Sequence, residues 1–212
     1  MAEDTAQSMG PIVGVLLAGG QSRRMGGGDK SLNDLKGKPL LAHVIERARS
    51  QVDHLFINAN GDPDRFEPYN LPVVADTVEG HLGPLAGILT GMEWAKDNVP
   101  EAQWVVTMAT DTPFFPIDLV GCFSLAIQAT NADMAMATSG GNRHPVFGMW
   151  PVRLADDLRQ TLTVDDIRKV LMWTDRFNLN QVDFSTQPFD PFFNVNRPED
   201  LAQAQKLIVE NT

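Results

Sequence analysis

The sequence has one cysteine, no long apolar run and a shortage of basic residues, and each of these absences excludes a class of protein. The lone Cys122 allows no internal disulfide, and its apolar neighbours predict a buried structural thiol rather than a nucleophile. The longest apolar run, Ile12 to Ala18, is too short to cross a bilayer and lacks the pattern of a secretory signal. We therefore expect a cytoplasmic protein without a membrane partner.

Basic side chains are outnumbered, with 17 Lys and Arg against 27 Asp and Glu and a net charge of −10. Proteins that bind nucleic acid spread surplus cations over a face, so this balance excludes a nucleic-acid partner. The exception is a local basic group made of Arg23, Arg24, Lys30, Lys36 and Lys38. A cationic patch in an acidic protein suits a small anionic ligand.

Length and composition indicate an ordinary globular protein. The 212 residues are 43% hydrophobic and 21% charged, which is enough to build one core of normal size. The small and polar residues 1–10 predict a flexible tail, and residues 11–212 predict a single domain. We expect a monomer.

The apolar pattern alternates between strands and helices. Runs rich in Val and Ile predict buried strands at Ile12–Leu17, Leu55–Ile57, Val73–Ala75 and Trp104–Met108, with others near Met134–Ala137 and Val146–Trp150. Helical spacing predicts helices over Leu40–Val52, Leu85–Ala95, Leu119–Ile127, Leu154–Leu162 and Asp165–Asp175, and a last helix from Pro198. This alternation predicts an α/β fold with a mostly parallel sheet and helices on both faces.

The loop from Leu17 to Gly26 leaves the first strand and is rich in glycine. Glycines let backbone amides approach a phosphate without obstruction, so the loop is suited to holding an anion. It is neither the dinucleotide fingerprint, which requires G-x-G-x-x-G, nor the P-loop, which closes with Gly-Lys-Ser/Thr. The glycines alone also fit a tight turn with solvated arginines.

Further residues give the loop a more specific meaning. The pattern L-A-G-G-x-S-x-R-M-G-x-x-K, met from Leu17 to Lys30 with one extra spacer, resembles the signature of nucleotidyltransferases with a Rossmann-like fold. From about Val13 to Leu207 the chain looks most like the molybdenum cofactor guanylyltransferases. The segments that carry this likeness are Asp29-Lys30, Gly37–Leu40, Asn58–Asn60, Asp76, Gly83–Gly87, Asp111–Pro113, His144-Pro145 and Phe193–Asn196.

The resemblance implies the fold of the nucleotide-diphospho-sugar transferases and a reaction that depends on Mg²⁺. It implies that Arg24, Lys30 and Asp111 are catalytic. The two cations would neutralise the triphosphate and the departing pyrophosphate, although solvated surface is the ordinary place for such side chains. Asp111 follows a strand, where ligands of open α/β sheets bind, and we expect it to be the Mg²⁺ ligand; the alternative role is helix capping.

Nucleotide contacts are also implied by the resemblance. Turn formation is the alternative reading for Asn58 and for Asp76, and a plain junction between loop and helix is the alternative for Gly83 to Leu85. The residues expected to bind nucleotide are Leu17, Ala18, Gly19, Gly20, Lys30, Asn58, Asp76, Gly83, Leu85 and Asp111.

The acceptor is expected to contact His144, Asn194 and Asn196. The two asparagines alternate along an extended segment and so point to the same side, towards acceptor or metal. An ordinary packed role is the alternative for His144. The chain departs from the family in two places: Arg197 is a poor cap for the last helix, and no second acidic metal ligand stands near Asn194, since nearby Asp190 is left unassigned.

The sequence thus predicts transfer of GMP from Mg-GTP to the terminal phosphate of molybdopterin, with release of pyrophosphate. Guanine and molybdopterin are implied by the resemblance alone, and transient contacts with the proteins that donate and receive the cofactor are a further expectation. One alternative is a cytidylyltransferase acting on the same pterin or on a sugar or polyol phosphate. Another is a nucleotide sensor that does not catalyse a reaction.

Overall fold

The computed structural model of the chain describes residues 9–19, 30–80 and 82–210. Its strands and longer helices follow one another as β1 Ile12–Leu17, β2 Asp34–Leu35, β3 Lys38–Pro39, α1 Leu40–Arg49, β4 His54–Asn58, β5 Val73–Val74, α2 Pro84–Asn98, β6 Trp104–Ala109, α3 Leu119–Thr130, β7 Met134–Ser139, β8 Asn142–Pro151, α4 Ala155–Thr163, α5 Val170–Thr174, β9 Leu179–Phe184 and α6 Pro198–Glu210. Short 3-10 helices lie at Lys30–Leu32, Pro63–Tyr69 and Val152–Leu154.

The main sheet has seven strands in the order β5-β4-β1-β6-β8-β7-β9. Strands β5, β4, β1 and β6 are mutually parallel, and β9 is parallel to β7, whereas β8 runs antiparallel to both of its neighbours. The predicted mostly parallel α/β fold is confirmed, with β8 as the exception. Strands β7 and β8 form a hairpin whose two-residue turn, Gly140-Gly141, has positive φ at both positions, as a tight turn between twisted strands requires.

Helices cover both faces of this sheet because side chains alternate along each strand. In β1, Ile12 and Leu16 pack in the cluster that contains α1 and α3, whereas Val13 and Val15 pack in the cluster that contains α2, α4 and α5. β1 is buried on both sides, which explains its continuous apolar run. The chain passes from β1 through α1 to β4 on one side of it and later returns from β5 through α2 to β6 on its other side, so the strand order reverses between β1 and β6.

The predicted helix at 165–175 is only partly correct. The structure shows α5 at Val170–Thr174, preceded by a loop in which Asp166 has a φ of 52°. The three-residue spacing of Thr163 and Asp166 predicts a capping pair at the start of this helix, and that prediction is wrong, because Thr163 is the last residue of α4 and its hydroxyl donates to the Arg159 carbonyl. The strand β9 was not predicted, because its alternating L-N-Q-V-D-F pattern belongs to a half-exposed edge strand without a continuous apolar run.

The last helix is capped from inside its own first turn. Asp200 Oδ2 accepts from the backbone amides of Arg197 at 2.8 Å and Asn196 at 2.9 Å. A carboxylate at the third helical position thus makes the reciprocal half of a capping box, to the amide of the cap residue. It does not replace the side-chain acceptor that Arg197 lacks, but it holds the main chain at Asn196.

None of the helices in the three described stretches has the length and hydropathy that a bilayer crossing requires. Cys122 is partly exposed rather than buried, and burial together with nearby Asp118 raises the pKa of its thiol. The division into a tail at residues 1–10 and a domain at 11–212 stays a prediction, as do the monomeric state and the cytoplasmic location.

Candidate functional site

A cleft of about 780 Å³ lies over the carboxyl ends of β4, β1 and β6. Leu17 is in register with Asn58 on one side and with Ala109 on the other, so these three strand ends form its floor. This is the point where the strand order reverses, the usual ligand site of open α/β sheets. The cleft is lined by Leu17, Ala18, Gly19, Asn58, Ala59, Asn60, Gly61, Arg65, Asp76, Gly80, Leu82, Gly83, Pro84, Gly87, Ala109, Asp111, Val146 and Asn194.

One side of the cleft carries the amide cluster, which we define as Asn58, Asn60 and Asp76. Asn58 Nδ2 donates to Asp76 Oδ1 at 3.0 Å and to the Val74 carbonyl at 3.1 Å. Asn60 Nδ2 donates to Asp76 Oδ2 at 2.8 Å, and Asn60 Oδ1 accepts from the Asp76 amide at 2.9 Å. Both oxygens of the Asp76 carboxylate thus accept a hydrogen bond from an asparagine side chain. Asn60 was not among the predicted site residues, although it belongs to the N-A-N segment.

A glycine on α2 makes room for this cluster. A Cβ atom placed on Gly87 would lie 2.5 Å from Asn58 Oδ1 and 2.5 Å from Leu17 Cδ2, far inside van der Waals contact. Gly87 was not among the predicted site residues. Its place at the end of the G-P-L-A-G segment was the feature of the sequence that could have indicated it. Absence of a side chain here lets α2 approach the ends of β1 and β4 closely.

The start of α2 borders the cleft as expected. Gly83 has a φ of 70° and precedes Pro84, the first residue of the helix, and both line the cleft. The side chain of Leu85 is fully buried in the core and is not among the lining residues, so its nucleotide contact stays a prediction. Arg65, which sequence analysis missed, lines the cleft and donates to the backbone carbonyl of Asn60 at 2.9 Å.

The opposite side of the cleft carries Asp111 and Asn194. With Lys30 and Asn196, which contact each other but do not line the cleft, they form what we define as the Asp111 cluster. Burial raises the pKa of Asp111, while the positive charge of Lys30 and hydrogen bonds from Thr112 and Asn194 oppose that rise. The Asp111 carbonyl accepts from the Val195 amide at 2.8 Å, and Lys30 Nζ donates to Asn196 Oδ1 at 2.8 Å. The structure thus brings together four predicted residues from three distant parts of the chain.

The donor set of this cluster fits Mg²⁺. Across residues 9–19, 30–80 and 82–210 no group of three or more His, Cys, Asp or Glu side chains is arranged to hold a metal. Mg²⁺ does not need such a cage, because one or two carboxylates with water and substrate phosphates satisfy it. Asp111 supplies the carboxylate, and its raised pKa indicates a buried charge that a cation would compensate.

His144 lies outside the set that lines the cleft. Its Nε2 atom is 2.7 Å from Ser139 Oγ, and its ring stacks on Phe192 with 4.3 Å between centroids. The expected acceptor contact therefore stays a prediction without direct geometric support. Gly20 and Arg24, with Arg23, fall outside the described residues, so the structure gives no position for the rest of the glycine-rich loop.

The fold, and a cleft with Asn58 on one side and Asp111 on the other at the reversal of strand order, fit an enzyme of the nucleotidyltransferase type. Residues 14–177 match the MobA-like NTP transferase domain. The chain belongs to this family, and it is a nucleotidyltransferase. The predicted family and reaction class are confirmed.

Individual relatives agree with this assignment. A molybdenum cofactor guanylyltransferase from Bradyrhizobium sp. (strain ORS 278) is 50% identical over 96% of this chain and 96% of its own length. The crystal structure of molybdopterin-guanine dinucleotide biosynthesis protein A from Archaeoglobus fulgidus has a TM-score of 0.70 at 23% identity, covering 94% of this chain and 99% of that one. A synthetase of CMP-2-keto-3-deoxy-manno-octonic acid, solved with CTP, has a TM-score of 0.68 at 15% identity, covering 95% and 99%. Both of these solved structures have the same fold as this chain.

Proposed function

We propose that the protein transfers GMP from Mg-GTP to the terminal phosphate of molybdopterin and releases pyrophosphate, forming the guanine dinucleotide form of the molybdenum cofactor. The observation that carries this proposal is that one cleft has the amide cluster on one side and Asp111 with Asn194 on the other. The 50% identical relative named molybdenum cofactor guanylyltransferase supports the choice of substrates.

The amide cluster is suited to holding the nucleoside. After accepting from Asn58 and Asn60, the Asp76 carboxylate still has lone pairs for donors on the base or ribose. Leu17, Ala18 and Gly19 line the floor beside it, where the glycine-rich loop begins. In this proposal Gly20 and Arg24, which lie outside the described residues, bind the phosphates as the family resemblance implies.

The Asp111 cluster is suited to the phosphate chemistry. An oxygen of the acceptor phosphate attacks the α-phosphorus, and the bond from that phosphorus to the bridging oxygen breaks, so pyrophosphate leaves with the electron pair. The attacking oxygen is already anionic, so positioning and charge neutralisation carry the rate. Lys30 provides a fixed positive charge beside Asp111. Mg²⁺ held by Asp111 would add charge neutralisation at the transferred phosphate.

We expect Asn194 and Asn196 to bind the acceptor or to complete the metal site with their amide oxygens. Asn194 lines the cleft next to Asp111, and Asn196 is fixed by Lys30. With this arrangement the acceptor phosphate approaches from the side of the cleft opposite Asp76. We also expect transient contact with the proteins that donate and receive the cofactor.

The decisive experiment measures pyrophosphate release by the purified protein with GTP, CTP, ATP or UTP, each with molybdopterin supplied. We expect turnover with GTP only, and formation of the pterin guanine dinucleotide in equal amount. Turnover with CTP, or with a sugar or polyol phosphate in place of the pterin, would replace the proposal by the corresponding cytidylyltransferase. Binding of GTP without pyrophosphate release would identify a sensor.

A further inference from the structure

A short relay of polar groups, one buried and two half-buried, connects β7 to the chain that follows β9. Ser139 ends β7 and is fully buried. Its Oγ atom lies 2.7 Å from His144 Nε2 on β8 and 2.8 Å from Asp190 Oδ1. We call these three residues the Ser139 bridge.

The protons of the bridge are assigned by what each group can donate. The serine hydroxyl carries one proton, which goes to the Asp190 carboxylate because that group only accepts. His144 must then donate its Nε2 proton to Ser139 Oγ. Asp190 Oδ1 also accepts from the Phe192 amide at 2.9 Å. The hydrogen bonds therefore converge on Asp190 Oδ1, from His144 through Ser139 on one side and from the Phe192 amide on the other.

The order of contacts excludes a nucleophilic triad. In a triad the histidine stands between serine and carboxylate, so that it removes the serine proton and is oriented by the acid. Here Ser139 stands between the other two and has no exposed surface. Burial lowers the pKa of His144 against the opposing effect of Asp190, which keeps the ring neutral at neutral pH. The three residues are instead suited to holding a segment of the main chain in one position.

The segment in question is residues 190–196, which we call the asparagine segment. It is held at its start by the Ser139 bridge and by the stacking of Phe192 on His144, with ring planes 21° apart. Further along, the Val195 amide donates to the Asp111 carbonyl, and Asn196 accepts from Lys30. The bridge therefore fixes one end of the segment whose other end forms half of the Asp111 cluster.

We propose that Ser139, His144 and Asp190 are positioning residues that set the course of the asparagine segment and thereby place Asn194 and Asn196 beside Asp111. This inference rests on the proposed function for its effect on catalysis. It gives His144 a role in place of the acceptor contact expected from the sequence. Asp190, left unassigned as a metal ligand by the sequence, uses its Oδ1 atom to accept two hydrogen bonds in this arrangement.

A test of the placement that needs no activity is hydrogen exchange over residues 190–196 in the full-length protein. We expect Ser139→Ala and His144→Phe to speed exchange in this segment about 10-fold, the effect of losing one hydrogen bond to a charged network. His144→Phe keeps a ring for stacking and tests the hydrogen bond alone. The matched control is Thr161→Val, which removes another fully buried hydroxyl that accepts from Arg176. Unchanged exchange in folded S139A and H144F would overturn the proposal.

The kinetic test separates positioning from a general loss of structure. We expect kcat to fall about 10-fold in each variant while the Kd for GTP stays within about twofold, because the amide cluster does not contact the bridge. The double variant S139A/H144F should be no worse than the more severe single variant, since both break one relay. Additive losses, or an equal loss of GTP binding, would overturn the positioning role.

The two tests also keep this inference apart from the proposed function. If the wild-type protein does not transfer GMP to molybdopterin, the proposed function fails. Faster exchange in S139A and H144F, with T161V unchanged, would still establish the bridge as the anchor of the asparagine segment.

Discussion

The two sides of the cleft are built in different ways. The amide cluster joins residues 16 to 18 positions apart, at the ends of neighbouring parallel strands, and its hydrogen bonds are internal. The Asp111 cluster joins Lys30 to Asn196 across 166 positions and depends on a segment outside the sheet. In the proposed function, strand ends therefore preorganise nucleoside recognition, whereas the phosphate chemistry depends on long-range contacts that a single substitution can break.

The largest expected effect comes from replacing the carboxylate of the Asp111 cluster. We expect Asp111→Asn to lower kcat by at least about 100-fold, because a neutral amide is a poor ligand for Mg²⁺ and leaves the phosphate charge uncompensated. The measurement is the initial rate of pyrophosphate release at saturating GTP and acceptor. The control is Asp118→Asn, which neutralises an exposed carboxylate at the start of α3 and should keep the wild-type rate. A D111N enzyme with more than about a tenth of that rate would contradict the role.

Substitutions that disturb the amide cluster should raise the KM for GTP rather than lower kcat. Gly87→Ala places a methyl group 2.5 Å from Asn58 Oδ1, so we expect the amide cluster to shift and the KM for GTP to rise about 10-fold with kcat nearly unchanged. The control is Gly121→Ala on α3, where a Cβ atom meets nothing within 4 Å. That change should leave KM alone and raise the free energy of unfolding by up to about 1 kcal/mol. An unaltered KM in G87A would show that the close approach is dispensable.

A smaller effect on the same side is expected from Asn60→Ala. It removes a hydrogen bond to Asp76 Oδ2 and the acceptor for the Asp76 amide, so the carboxylate loses part of its orientation. We expect the KM for GTP to rise about fivefold at constant kcat. Asn98→Ala, which removes an exposed amide that donates to the Trp94 carbonyl, is the matched control. Equal kinetics in the two variants would remove Asn60 from the site.

The smallest expected effect is on stability, and it concerns the Asp111 side of the cleft only. Burial raises the pKa of Asp111 in the folded state, so the folded protein binds a proton more readily there than the unfolded chain does. Ionised Asp111 therefore destabilises the metal-free fold at neutral pH. We expect D111N to be slightly more stable than wild type at pH 7, with the difference lost as the pH falls below the pKa of an unfolded aspartate. Thermal unfolding of both proteins without metal across this pH range provides the check, and a less stable D111N at pH 7 would contradict it.

Sequence reasoning predicted the parts of the molecule whose signals are local. The buried runs of β1, β4 and β6 placed Leu17, Asn58 and Asp111 at one sheet edge, because parallel strands end on the same side. It could not predict that Lys30 meets Asn196, because no local pattern records a contact between opposite ends of the chain. It missed Gly87 for a related reason: only the packing of α2 on β1 and β4 shows why a side chain is excluded there.

The hairpin between β7 and β8 has a consequence for how the protein tolerates change in length. Surface hairpin tips usually accept inserted residues, since they contact little else. Here the Gly140-Gly141 turn comes directly after Ser139, and the same hairpin presents His144 in register with β7. An inserted residue would shift one partner of the relay against the other, and the disturbance would reach Asp111 through the backbone of Val195. We therefore expect few insertions or deletions at the Gly140-Gly141 turn among related proteins.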